Sequence, residues 1–156
     1  DSLPLVIFWL SALGCFIAGP IPLVYLFFIT IPFGAFAVFP PESLKGLTLT
    51  PTPMTAALLI ARVFCSRDGI DFFLRAIVKP NRLTILGIFW IVAVITTLFM
   101  PKFFARQVVV IPLKIDTITT EVFLEPTTQN TSQLAYMTIS VFAVFAFAYI
   151  SQTAYA

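Results

Sequence analysis

The chain has 156 residues, 60% of them hydrophobic and 10% charged, with a mean hydropathy of +1.03 and a formal net charge of +2. Soluble domains carry about 45–50% apolar and about 25% charged residues, so this composition points to a membrane protein. The cations gather in one segment and form no broad basic face, which argues against nucleic acid as a partner. The absence of histidine removes Ser/His/Asp triads, HExxH zinc sites and His proton shuttles. Cys15 and Cys65 have neither the spacing nor the setting of a metal knuckle or disulfide framework and read as small packing residues. Ala12, Leu13 and Gly14 before Cys15 do not make a lipoprotein signal, since no basic segment precedes them. Metals and soluble cofactors are not implied.

No charge lies between Leu3 and Phe39. At about 1.5 Å per residue such a helix would span about 55 Å, against a hydrocarbon core of roughly 30 Å. Gly19, Pro20 and Pro22 punctuate the run, so the simplest division is a helix over 3–18, a GPIP turn and a second helix over 23–39, kinked at Pro32. Whether the two form a hairpin or one broken traversal is left open, and with it the side of the N-terminus. A third span is predicted over 48–65, with LTLTPTP as an extended entry and Thr52 as a plausible N-cap.

Arg62, Arg67, Arg75, Lys79 and Arg82, against Asp68 and Asp71, mark a basic loop over 62–82. Within it Ile70, Phe73, Leu74, Ile77 and Val78 follow helical spacing, predicting an amphipathic helix over about 69–79. Asp68 can cap that helix, Asp71 and Arg75 form an i,i+4 pair, and Pro80 ends it. Such a helix belongs in the membrane interface with its phenylalanines at the acyl boundary; the plainer reading is a solvated loop helix.

The run over 83–100, with Trp90 inside and Lys102 beyond it, is the cleanest span. An external loop over 101–133 follows, where Ile111, Leu113 and Ile115 alternate with polar residues and predict a short β-like excursion. The last span is 134–150, rich in Phe and Ala, and the chain then stops without a charged flank, as a fragment of a longer protein would. The fold class predicted is all-α: a polytopic transmembrane bundle of about five spans, or four, with one interfacial helix. The positive-inside rule puts loop 62–82 in the cytoplasm and loop 101–133 outside.

Several segments resemble the N-terminal part of the O-antigen ligase and polymerase superfamily: IPFGAFAVFPP (31–41), LTLTPTPMTAALLIARVF (47–64), TLFMP (97–101) and TTQNTSQLAYMTISVFAVFAF (127–147). The likeness runs over essentially the whole chain, which would be about the first third of a typical member. It implies a bacterial inner-membrane enzyme that transfers glycan from undecaprenyl diphosphate to a sugar hydroxyl on the periplasmic side. The family's catalytic arginines and histidine lie downstream, so no catalytic residue maps onto this chain and the fragment alone should be inactive.

A lipid diphosphate at the outer interface needs cationic donors. Lys102 and Arg106, one turn apart past the clean span, are candidates; their plainer role is snorkelling. Gln133 and Tyr136, at the mouth of the last span, are candidate sugar-binding groups with Asn130 and Thr131 beside them. The bland alternative is that Asn130, Thr131 or Ser132 caps the helix and Tyr136 joins the aromatic belt. Asn130 and Ser132 also form a glycosylation sequon, silent in a bacterium. Arg62, at the end of an apolar helix, reads as a snorkelling residue. A structural or assembly subunit of a membrane complex is the rival reading. A transporter is weaker, because no Asp, Glu or His lies mid-span.

Overall fold

The structure is a computed structural model and describes residues 3–34, 37–39, 49–78, 82–110, 122–123 and 128–154. Among these residues it is all-helical apart from one minimal strand pair. The helices are α1 (Leu3–Ala18), α2 (Pro20–Thr30), α3 (Pro51–Phe64), α4 (Arg67–Val78), α5 (Arg82–Phe103) and α6 (Thr128–Ala154), with a 3-10 turn over Ile31–Phe33. Strands β1 (Val109–Val110) and β2 (Val122–Phe123) pair antiparallel, Val109 opposite Phe123. The alternating stretch 111–116 lies outside the described residues.

Five spans are not supported by helix length. Among the described residues, two segments are long and apolar enough to cross a membrane, Leu83–Phe103 with 21 residues and Asn130–Ala154 with 25. α1 and α3, with 16 and 14 residues, rise only about 24 and 21 Å at 1.5 Å per residue. α2 ends at Thr30 instead of reaching Phe39, so Pro32 terminates the helix in a 3-10 turn and does not kink it. A proline there removes a donor, and the tighter turn absorbs the break. α2 also begins earlier than expected, because Pro20 and Pro22 sit in the first turn, where a missing N–H costs nothing. Gly19 makes the α1–α2 turn with φ 133°, a backbone region that L side chains rarely adopt.

The first two helices form an antiparallel hairpin. Leu3, Pro4 and Ile7 of α1 line a hollow with Ile29, Thr30 and Phe33, at the far end of α2, and with Pro51, which opens α3. The end of the bundle where α1 and α3 begin is here called the upper end. The strand pair joins the segment after α5 to the segment before α6, so α5 finishes and α6 starts at a common end. Tyr136 shares a groove with Thr52, which makes that end the upper one as well. α4 lies at the lower end, where Ser66 and Phe72 approach Tyr149, near the end of α6.

Two apolar clusters hold the helices together. Leu23, Leu59, Val63, Phe73, Ala76, Val141, Phe145, Ala146 and Ile150 form the larger, uniting α2, α3, α4 and α6. Phe8, Ala12 and Val38 form the smaller, against which Trp9 and Phe39 pack edge to face with centroids 5.5 Å apart. The amphipathic helix is present as α4 but faces differently from the expectation. Phe73 turns into the protein and stacks on Phe64 at 4.5 Å, with Phe145 at 5.5 Å and Phe142 at 5.6 Å. Ile70 and Leu74 stay exposed, and the side chains of Ile77 and Val78 lie outside the described residues.

The caps also differ. Ser66, not Asp68, caps α4: its Oγ accepts the Gly69 N–H at 3.1 Å and donates to the Val63 carbonyl at 2.7 Å, while Asp68 falls inside the first turn. α3 begins at Pro51, with Thr50 at the cap position, and Thr52 Oγ1 donates across to the Thr30 carbonyl at 3.1 Å. α6 begins at Thr128, so Asn130, Thr131 and Ser132 sit within the helix and cannot cap it. Cys15 packs half-buried against the larger cluster, whereas Cys65 is exposed at the α3–α4 corner and packs no core.

Candidate functional site

The upper end carries the buried hydroxyls of the bundle. Thr30 and Thr55 are buried, at 5% and 0% exposure. Thr55 Oγ1 donates to the carbonyls of Pro51 (3.1 Å) and Thr52 (2.9 Å), Thr30 Oγ1 donates to the Phe27 carbonyl at 2.8 Å, and the two hydroxyls lie 3.2 Å apart. With the Thr52 bond to the Thr30 carbonyl, this knot ties the end of α2 to the start of α3. It satisfies hydroxyls that would be costly to leave unpaired away from water. Among the described residues, no buried side-chain nitrogen or oxygen lacks a partner.

Beside the knot, a groove of about 360 Å³ runs between α2, α3 and α6. Phe27, Pro53, Ala56, Ile139, Ala143, Val144 and Phe147 give it an apolar wall, and Thr52, Tyr136 and Ser140 place hydroxyl-bearing residues along it. From Tyr136 to Phe147 the helix rises about 16 Å. Phe147 closes the far part, with its ring 5.2 Å from Phe27. The groove can take a long apolar chain lengthwise while a polar head stays at the upper end.

Of the four residues singled out in the sequence, Tyr136 enters this groove, half-buried. Gln133, one turn earlier on α6, is exposed. Lys102 is exposed in the last turn of α5, where a cation favours the helix dipole. Arg106 lies beyond the helix, in a turn where the Phe104 N–H bonds the Met100 carbonyl at 3.0 Å and the Gln107 N–H bonds the Phe104 carbonyl at 3.1 Å. Its φ of 63° puts it in the left-handed region, so Lys102 and Arg106 do not share one helical face as their spacing suggested. All four belong to the upper end: Lys102 on α5, Arg106 in the turn after it, and Gln133 and Tyr136 on α6.

The residues that sequence reading missed are Thr52 and Ser140. Ser140 was accessible through spacing, because Gln133, Tyr136 and Ser140 follow i, i+3, i+7 and share a stripe. Thr52 was read as a cap, and only the approach of α3 to α6 turns it into wall. Arg62 sits half-buried in the last turn of α3, towards the lower end. Among the described residues, no group of three or more His, Cys, Asp or Glu could hold a metal ion.

Comparison with known proteins finds no matching family model, no matching curated protein and no matching solved structure.

Proposed function

We propose that this chain is the N-terminal membrane portion of a lipid-linked glycan ligase or polymerase, and that its upper end receives an undecaprenyl-diphosphate-linked glycan. The observation that carries the reading is the groove beneath Tyr136: an apolar trough between α2, α3 and α6 with hydroxyl-bearing residues along it, while Lys102 lies in the last turn of α5 and Arg106 just beyond it. A polyprenyl chain needs the trough, and its diphosphate needs cations. The O-antigen ligase-like phrases of the sequence supply the substrate class. On this reading the protein lies in the bacterial inner membrane, with loop 62–82 cytoplasmic and loop 101–133 periplasmic. The chemistry belongs to residues outside this chain, and the chain alone is inactive.

The test is photolabelling in membranes with a diazirine-bearing polyprenyl diphosphate. Labelled peptides should map to 136–147 of α6 and 52–56 of α3. Labelling spread evenly over the surface of α5 would overturn the assignment. In a longer protein carrying this chain, glycan transfer at the wild-type rate by a Lys102→Ala, Arg106→Ala double variant would remove those two residues from the site.

The rival reading, an assembly subunit, is favoured by one observation: α5 leaves apolar side chains exposed around much of its surface, among them Ile85 at 73% and Phe103 at 71%. Such a helix needs lipid or a partner helix around it. Cross-links from α5 to one partner protein in native membranes, without polyprenyl labelling, would favour the subunit.

A further inference from the structure

The lower end of the bundle carries a surface that the glycan reading does not use. α4 is clamped there. Phe73 is inserted among Phe64, Phe142 and Phe145, Ala76 is buried, and the Ala76 carbonyl accepts the Thr84 hydroxyl at 3.0 Å. At the start of α4, Gly69 lies so close to α3 that a Cβ would collide with the Val63 carbonyl oxygen and come within 2.6 Å of Ser66 Oγ. The helix therefore cannot roll, and its remaining faces are fixed.

At about 100° per residue, Arg67, Ile70 and Leu74 fall within an arc of about 60° beside the buried face. All three are exposed, Ile70 by 43% and Leu74 by 58%. The acidic residues fall on the adjoining side: Asp68 and Asp71 share a polar hollow of about 250 Å³ with Arg75, Tyr149, Gln152 and Thr153, and Asp71 stands one turn from both Arg67 and Arg75. Within α4 the two carboxylates are matched by Arg67 and Arg75, with Arg67 at the border between the polar side and the apolar flank. Arg62 precedes this flank in the last turn of α3, and Lys79 and Arg82 follow it in the sequence, so segment 62–82 is net basic.

We propose that the flank formed by Arg67, Ile70 and Leu74 docks on an anionic phospholipid, with Ile70 and Leu74 at the acyl boundary and the Arg67 guanidinium on the headgroup phosphate. Two apolar side chains one turn apart beside a cation match the geometry of an interfacial helix. The positive charge matches an anionic leaflet, where each cation near the surface contributes about a fivefold preference. This inference rests on the membrane reading of the bundle and is independent of the glycan assignment.

The test is native mass spectrometry of the full chain, released from detergent after equilibration with equal amounts of phosphatidylglycerol and phosphatidylcholine. The wild type should retain phosphatidylglycerol in about fivefold preference. Arg67→Gln should remove most of that preference and Arg67→Lys should keep most of it. Ile70→Ser with Leu74→Ser should lower retention of both lipids, with helical circular dichroism unchanged in every variant. Retention of both lipids without preference, or a preference that survives Arg67→Gln, would overturn the docking surface alone. Retention of no lipid at all would overturn both this surface and the membrane reading beneath it.

Discussion

Trp90 Nε1 donates a hydrogen bond to Thr138 Oγ1 at 3.0 Å, joining the two helices that are long enough to cross a membrane. The indole also meets Phe142 edge to face, with centroids 5.1 Å apart, so one residue supplies α5 with both a polar and an aromatic tie to α6. Hydrogen bonds between membrane helices average about 0.6 kcal/mol and seldom exceed about 1.7. A double-mutant cycle of Trp90→Phe and Thr138→Val, read by unfolding in mixed micelles, should give a coupling energy in that range. Zero coupling would show that packing alone orients α5.

The two glycines of the first hairpin should respond oppositely to alanine. Gly19→Ala places a Cβ on a φ of 133° and should destabilise by about 1–3 kcal/mol. Gly14, inside α1, has nothing within 4 Å of a built Cβ, and Gly14→Ala should be neutral or stabilising by up to about 1 kcal/mol through helix propensity. Thermal unfolding of both variants in one detergent checks the contrast.

The α3–α4 corner should be intolerant of volume at Gly69. Gly69→Ala forces the Val63 carbonyl away and should cost about 1–3 kcal/mol, with amide exchange rising over 67–76. Ser66→Ala removes the cap and should cost about 1 kcal/mol. Unchanged exchange in both variants would mean that α4 is held by Phe73 and Ala76 and not by its N-terminal corner.

Thr55→Val keeps the shape of a fully buried side chain and deletes its donor, leaving Thr30 Oγ1 its bond to the Phe27 carbonyl. The expected loss is about 1 kcal/mol, because the Thr55 hydroxyl gives up its shared bonds to the Pro51 and Thr52 carbonyls and its contact with Thr30 without leaving Thr30 unpartnered. Thr55→Ala adds a cavity and should cost more. Equal losses in the two variants would mean that packing dominates the knot.

Reporter fusions after Lys79 and after Thr120 should read cytoplasmic and external respectively. These positions follow α4 and β1, on opposite sides of α5. The reverse result would invert the assignment of upper and lower ends to membrane faces.

What was legible in the sequence followed from long-range hydropathy. α5 and α6 announce themselves because uncharged length is a one-dimensional property, and the amphipathic spacing of α4 survives inspection for the same reason. The ends of helices were harder. Hydropathy continues past Thr30 to Phe39, but Pro32 tightens the turn and stops α2, and Ser66 captures the Gly69 amide ahead of Asp68. The direction of Phe73 was not legible at all, since its partners Phe142 and Phe145 lie about seventy residues away and only the docking of α6 brings them there. For the candidate site, the stripe through Tyr136 was readable from spacing on one helix. The groove required a second helix, and the left-handed turn at Arg106 broke a pairing that helical spacing had implied.

The hairpin of α1 and α2 sets a parity. Because the chain goes down and returns before α3 starts, Leu3 and Pro51 flank the same hollow. A tag or fluorophore attached ahead of Leu3 therefore sits next to the α1–α2–α3 hollow at the upper end, the end opposite α4. Such a label reports on the packing of α1 against α2 and α3 without touching α4.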